Sequence, residues 1–149
     1  MANSLCEVLL TDVALAPPRD DSDPGAGAIA SFWGMVRALE DGSEIDGLDY
    51  EAHRAMAEHQ LRRVGEEAMK NFQLRKIVIH HRVGFVRAGE ASLFLEVRAG
   101  HRAAVFEASK WVVDELKKRV PIWKRPRFKV AARRLHESHL SGEASAAKL

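Results

Sequence analysis

The chain has 149 residues, of which 46% are hydrophobic and 30% charged, which suits one domain with its own core. No apolar run reaches the roughly 18 residues of a membrane span, and the N-terminal residues do not resemble a secretory signal. The single cysteine, Cys6, excludes an internal disulfide and a Cys-x-x-Cys metal or redox motif. We therefore expect one cytoplasmic domain over residues 1–149, with a net charge of only +2.

The first half of the chain predicts strands followed by a helix. The helix is indicated by Ala57, Leu61, Val64 and Ala68, which recur at helical spacing and form one apolar face. The predicted elements are a strand at 4–11, a loop at 17–25, a strand at 26–37, a hairpin connection around Asp41-Gly42 at 38–47, a returning strand at 48–52 and a helix at 54–71.

The second half predicts two further strands and a second helix. The apolar face of that helix consists of Val105, Ser109, Val112 and Leu116, together with Phe106 and Val113. The predicted elements are a strand at 75–84, a turn at 87–90, a strand at 91–100, a helix at 102–119 that Pro121 stops, and a flexible tail at 137–149. Neighbouring strands indicate an α+β fold with mostly antiparallel pairing.

Residues 117–134 form a basic strip that holds nine Lys/Arg and no acid. Because the rest of the chain has more acidic than basic residues, this strip favours an anionic partner or substrate. Lys117 ends the second helix and Lys124 follows the break at Pro121, so both amines could enter one pocket. Such lysines can shuttle protons or attack a carbonyl. The alternative is that these cations only stabilise the helix dipole.

Two other places could bind an anion. His101 and Arg102 stand at the start of the second helix, where backbone N–H groups favour phosphate, although such side chains can also simply face solvent. Arg37 ends the small-residue strand in which Gly34 permits close approach, and the alternative is an ordinary surface arginine. His80 and His81 are adjacent on a strand and point to opposite faces. We expect neither a metal nor a cofactor.

Four segments in order resemble the molybdopterin synthase catalytic (large) subunit family, from about Gly25 to Arg125. They are GAIASFWGMVR, LDYEAHRAMAEHQL, IHHRVGFVRAGEASLFLEV and GHRAAVFEASKWVVDELKKRVPIWKR. The resemblance implies an α/β hammerhead-like fold and a homodimer at the core of a heterotetramer. It also implies a small ubiquitin-like sulfur-carrier subunit whose C-terminal Gly-Gly thiocarboxylate enters a pocket. Two sulfurs would pass to cyclic pyranopterin monophosphate, without metal, nucleic acid or membrane.

Carried over by position, the resemblance implies catalytic roles for Lys117 and Lys124. Lys117 would act as acid/base or transient electrophile partner, and Lys124 would neutralise developing charge. The substrate-binding residues it implies are Met35, Val36, Arg37, His101, Arg102 and Arg125.

The chain departs from the family's pattern at several positions. Met35 replaces a lysine that is frequent in the family, Pro126 stands where a glutamate is usual, and RFKVAARRLHESHL replaces the usual sequence after it. Pro126 keeps open a non-catalytic module that binds a ubiquitin-like carrier tail. A nucleic-acid binder using the basic strip is a third possibility, disfavoured because only Trp123 and Phe128 supply aromatic stacking there.

Overall fold

The computed structural model describes residues 5–19, 21–129 and 147–149 of the chain. These residues form two sheets and two helices. The elements in chain order are β1 (Cys6–Thr11), β2 (Ala28–Met35), β3 (Leu39–Glu40), β4 (Ser43–Ala52), α1 (Arg54–Asn71), β5 (Lys76–Arg82), β6 (Gly84–Arg87), β7 (Ala91–Ala99), α2 (Arg102–Arg119), β8 (Ile122–Phe128) and β9 (Ala147–Lys148).

The main sheet has the strand order β1-β5-β7-β2, and both helices pack on it. Only the β1/β5 pair is parallel; β5/β7 and β7/β2 are antiparallel. Helix α1 begins at the cap His53, whose Nδ1 accepts a hydrogen bond from the Met56 amide. Its buried residues include all four that the sequence assigns to its apolar face: Ala57, Leu61, Val64 and Ala68.

Helix α2 has the predicted bounds, but three residues of the expected face are not buried, and of these Val113 is half-buried. Val105, Val112 and Leu116 are buried, together with Ala108. Phe106 was expected on this face and is instead 67% exposed, because one residue turns the helix by about 100° away from Val105. Ser109 is half-buried and its hydroxyl donates to the Val105 carbonyl oxygen at 2.7 Å, which satisfies a polar group near the core.

The second sheet has the order β3-β4-β8-β9, with β6 also pairing with β4. Strand β4 begins at Ser43, five residues before the predicted strand, because the hairpin turn is confined to Asp41 and Gly42. Both turn residues have positive φ, 50° and 77°, as a two-residue hairpin with the right twist requires. β4 then pairs with β8 over most of its length, from Ile45 to Ala52.

Strand β8 is absent from the sequence prediction, and its composition explains why. Its residues alternate between inward positions, Ile122, Lys124, Pro126 and Phe128, and more exposed ones. Inward lysine and proline hide this alternation from a hydrophobicity pattern, and proline is more usual on edge strands and bulges than inside sheets. β8 directly follows α2, so the chain reverses at Pro121 and returns along β4.

The end of the chain differs from the predicted flexible tail. Residues 147–149 lie against β8, with Trp123 opposite Lys148 and Lys124 opposite Ala147. The rest of the predicted tail lies outside the described residues. The described elements confirm the α+β class with mostly antiparallel strands. Neither described helix is long and apolar enough to cross a bilayer.

Candidate active site

A cavity of about 210 Å³ opens where the end of α2 meets β8 and the end of the main sheet. Both candidate lysines line it, so the chain reversal at Pro121 brings them together as the sequence predicted. The other lining residues come from the two sheets, α2 and the chain end, and are Phe32, Gly34, Met35, Tyr50, His81, Ser92, Leu93, Val113, Leu116 and Leu149.

The two lysines differ in their electrostatic surroundings. Lys124 is partly buried, and its Nζ lies 3.7 Å from Oε1 of Glu40, which comes from the hairpin beside β4. Lys117 is more exposed and, in the part of the chain that the structure describes, forms no ion pair within 4.0 Å. Two lysines line the cavity and Glu40 lies beside only one of them, which favours an anionic ligand.

Gly34 lets the main sheet close tightly beside this cavity. A Cβ at Gly34 would lie 3.1 Å from the Cβ of Leu93, its partner across the β2/β7 pair. The register shifts between Gly34 and Met35, and such a bulge re-aims the next side chain. Met35 lines the cavity in consequence, which agrees with its predicted place in the site, and Gly34 permits the close approach that the sequence indicated.

The cavity also has polar groups that the sequence analysis did not assign to the site. Tyr50 lies opposite Lys124 in the β4/β8 pair, so both side chains share one face. Burial raises the pKa of the Tyr50 hydroxyl, an effect partly opposed by its hydrogen bond with Ser92. The Ser92 hydroxyl also donates a hydrogen bond to the Gly34 carbonyl oxygen at 3.4 Å. The hydroxyl of Tyr50 therefore stays protonated near neutral pH and can donate.

His81 is held as a neutral imidazole. Its Nδ1 lies 2.6 Å from the Arg82 carbonyl oxygen, and because a carbonyl can only accept, Nδ1 carries the proton and Nε2 keeps a lone pair. The ring stands edge-on to Tyr50 with centroids 5.3 Å apart. Burial lowers the pKa of His81 to about 4, and the bond to Arg82 only partly opposes this. The cavity thus contains an uncharged acceptor beside its two cations.

Because His81 is buried as a neutral imidazole, the free energy of unfolding should depend on pH. In the unfolded chain His81 binds a proton near pH 6.5, whereas in the folded chain its pKa is about 4. The unfolded state therefore holds more protons between these values, so stability should fall as pH drops from about 6.5 to 4. We expect His81→Gln to flatten this part of the profile, measured as urea unfolding free energy against pH. An unchanged slope in the variant would contradict the assignment.

Three predicted substrate-binding residues lie near the cavity without lining it. Val36 is buried, and its backbone bonds to the turn before β7 through Glu90 and Gly89. Arg37 follows at the surface, two residues after the lining Met35. Arg125 is exposed and points to the opposite face of β8 from Lys124. Of these three, Arg37 is the exposed residue that lies nearest in sequence to a residue lining the cavity.

His101 and Arg102 lie at the other end of α2. His101 caps the helix in an extended conformation without a side-chain cap bond, and both residues are exposed. Fifteen residues separate Arg102 from Lys117, which is about 22 Å along a helix. One chain therefore does not bring this pair to the cavity that holds the two lysines.

The missed lining residues gave weak sequence signals. Tyr50 is the only tyrosine of the chain. Its position opposite Lys124 depends on the pairing of β4 with β8, and β8 was not predicted. His81 was considered only as a metal ligand, together with His80. Among the described residues, no group of three His, Cys, Asp or Glu could hold a metal ion.

Comparison with known proteins identifies relatives of the chain. The family model of the MoaE protein matches residues 10–119. A protein of Thermoplasma volcanium named molybdopterin synthase catalytic subunit is 42% identical over 102 residues, which are 68% of this chain and 74% of that protein. Plant and mammalian relatives with the same name are longer, and the chain spans about half of their length.

Solved structures share the fold. The crystal structure of molybdopterin synthase from Staphylococcus aureus superposes with a TM-score of 0.72 at 24% identity, covering 87% of this chain and 95% of that one. A complex of subunits 1 and 2 of molybdopterin-converting factor from Helicobacter pylori gives 0.63 at 17% identity, covering 97% and 90%. With the family model matching most of its length, the chain belongs to the MoaE family, that of the molybdopterin synthase catalytic subunits.

Proposed function

We propose that this chain is the catalytic subunit of a molybdopterin synthase. In this proposal it moves two sulfurs from a thiocarboxylated, ubiquitin-like carrier subunit to cyclic pyranopterin monophosphate and so forms the dithiolene of molybdopterin. The observation that carries the proposal is the convergence of Lys117 and Lys124 on one cavity. The names of the relatives and the two-subunit complex from Helicobacter pylori support it.

The charge of the cavity suits both reactants. The carrier's tail ends in an anionic thiocarboxylate, and the substrate carries a phosphate. A cavity with two ammonium groups and one carboxylate attracts such groups and stabilises negative charge that develops during reaction. Glu40 lies 3.7 Å from the Lys124 ammonium and so favours a position of that group beside the cavity before the ligand arrives.

The proposed chemistry divides between the two lysines. In each transfer the carrier's sulfur forms a bond to a carbon of the pterin side chain, which loses an oxygen as water. A second water then cleaves the bond between that sulfur and the carrier's acyl carbon, so the carrier leaves as a carboxylate. Loss of oxygen from the pterin needs a proton donor, which Lys117 supplies from the end of α2. Lys124 stabilises the oxyanion formed at the acyl carbon. Tyr50 and the neutral His81 offer a donor and an acceptor for orienting the pterin's polar edge.

His101 and Arg102 enter the same proposal from a second copy of the chain. A pair some 22 Å from Lys117 along α2 can bind the phosphate of a substrate in that cavity only if it belongs to a neighbouring subunit. This geometry supports the homodimer that the sequence resemblance implies, with each cavity completed by its partner. Arg37, beside the lining Met35, would complete the phosphate site from the same chain.

Shared sites predict complementation between two inactive variants. Lys117→Ala and Arg102→Ala should each lose most turnover as homodimers. After the two are mixed and allowed to exchange subunits, half of the dimers are mixed and each has one intact site. We expect recovery of about a quarter of wild-type turnover. Mixing Lys117→Ala with Lys124→Ala is the control and should recover nothing. Both lysines line the cavity of their own chain, so every cavity in a mixed dimer still lacks one of them.

The enzymatic proposal is tested by reconstitution. The chain is mixed with thiocarboxylated carrier and cyclic pyranopterin monophosphate, and dithiolene product is measured. Product formation supports the enzyme. A stable carrier complex without product would favour the non-catalytic binding module, and Pro126→Glu would then be the first variant to assay. Pro126 lies on β8 opposite Leu48 and does not line the cavity, so we expect its replacement to change turnover little.

Ion pairs in the described part of the basic strip disfavour nucleic-acid binding. Arg119 pairs with Glu67, and Arg127 pairs with Asp49 while lying over the Phe85 ring. These pairs neutralise part of the basic strip that would otherwise attract phosphates. Residues 130–134 of the strip lie outside the described residues.

A further inference from the structure

The last residues of the chain form an extended segment along the free edge of β8. The backbone of Ala147 and Lys148 pairs antiparallel with Trp123 and Lys124, and the Leu149 amide donates to the Ile122 carbonyl oxygen at 3.3 Å. We call residues 147–149 the C-terminal tail. It adds a strand to a sheet edge, which is a recurring way in which an extended peptide docks on a β-sheet.

A second contact fixes the tail at the end of α2. The Lys148 ammonium donates to the Lys118 carbonyl oxygen at 2.9 Å. Carbonyl groups in the last turn of a helix lack partners within the helix and carry partial negative charge, so a cation there is stabilising. The tail is therefore held by backbone pairing on one side and by a helix end on the other.

The tail ends at the cavity of the candidate active site. Leu149 is partly buried against the core and lines the cavity together with Lys117 and Lys124. The extended segment that follows β8 thus reaches the cavity that both lysines line. In the proposed function, the Gly-Gly end of the carrier must approach the same two lysines as an extended peptide, so it would need the space that residues 147–149 occupy.

We propose that the C-terminal tail is a resident competitor, which occupies the docking edge of β8 and the cavity until the carrier's tail displaces it. The proposal rests on the proposed function for the identity of the displacing peptide, but not for the docking of the tail itself. Leu149 fills apolar space beside Leu116 and Val113, whereas a Gly-Gly end leaves that space for the pterin. The carrier's tail therefore has to displace Leu149 before its own end can enter the cavity.

Competition by the C-terminal tail should weaken the measured affinity of a displacing peptide. When a site is free only part of the time, the apparent Kd rises in inverse proportion to the free fraction. If the tail is docked for nine-tenths of the time, its removal tightens the binding of a displacing peptide about tenfold. We compare the full chain with a variant that ends at residue 146, using a synthetic peptide that ends in Gly-Gly. Lys110→Ala is the control, since that lysine is exposed elsewhere on α2.

Two further measurements separate the parts of the proposal. Hydrogen exchange at the Lys124 amide, which faces the tail strand and not β4, reports on tail docking alone. A peptide with the sequence of residues 143–149 should bind the truncated chain in trans. Tighter Gly-Gly binding and faster exchange after truncation are the expected results. Unchanged exchange and unchanged peptide affinity would overturn the resident competitor. Binding of the own-tail peptide without any binding of the Gly-Gly peptide would leave self-docking intact and remove the carrier from the proposed function.

Discussion

Replacing Lys117 by alanine is expected to reduce turnover by about 10²- to 10⁴-fold, the usual contribution of a positioned proton donor. Lys117 lines the cavity from the last turn of α2 and forms no ion pair among the described residues, so its ammonium is available to a ligand. The side chain is exposed, and truncation should cost little stability. Carrier affinity should change far less than turnover, measured by titration beside the product assay.

The neighbouring lysine is a matched control for this prediction. Lys118 has the same chemistry one residue later on α2, yet its side chain is 73% exposed, lies 3.6 Å from Glu115 and does not line the cavity. Lys118→Ala should therefore keep nearly full turnover. Equal losses in the two variants would mean that the overall charge of the helix end matters and that no proton is supplied at Lys117.

Replacing Ile122 by alanine is expected to lower the free energy of unfolding by about 2–5 kcal/mol. Ile122 is fully buried at the start of β8, where the chain reverses after α2. Truncation leaves a cavity between the second sheet and the core, in a close-packed region that relaxes only partly. Because Ile122 begins the strand that carries Lys124, this core position also supports the site.

Chemical denaturation measures the free energy of unfolding, and Ile122→Val is an intermediate variant for comparison. Removing one methylene should cost about 0.5–1.5 kcal/mol, so the two variants should order as wild type, valine and alanine. Similar midpoints for all three would show that β8 is not packed as described. Lys124→Ala should leave stability nearly unchanged, because its ion pair with Glu40 is partly solvated.

The helices and the main sheet were predictable because their patterns are local. Both helices have the predicted bounds, since apolar residues recur at helical spacing and Pro121 ends the second one. The strands of the main sheet are rich in β-branched and apolar residues and were also found. Strand β8 was not, because the inward Lys124 and Pro126 break its alternation and its place beside β4 depends on a pairing distant in sequence.

The site divides in the same way. That Lys117 and Lys124 share a pocket followed from the helix break, and the sequence resemblance pointed to Met35, which lines the cavity. Tyr50 and His81 could not be assigned, because they reach the cavity only through the register of β4 with β8 and the packing of α2 on the main sheet. The separation of His101 and Arg102 from the lysines follows from the length of α2. The resemblance assigned all four residues to one site without regard to that length.

The most direct test of the account follows the sulfur itself. Stoichiometric thiocarboxylated carrier, cyclic pyranopterin monophosphate and the chain are mixed, and mass spectrometry monitors both the carrier and the pterin through a single turnover. The account predicts that the carrier's thiocarboxylate becomes a carboxylate as the pterin gains sulfur, and that neither change occurs with Lys117→Ala. A tight complex in which the carrier keeps its sulfur and the pterin stays unchanged would contradict it.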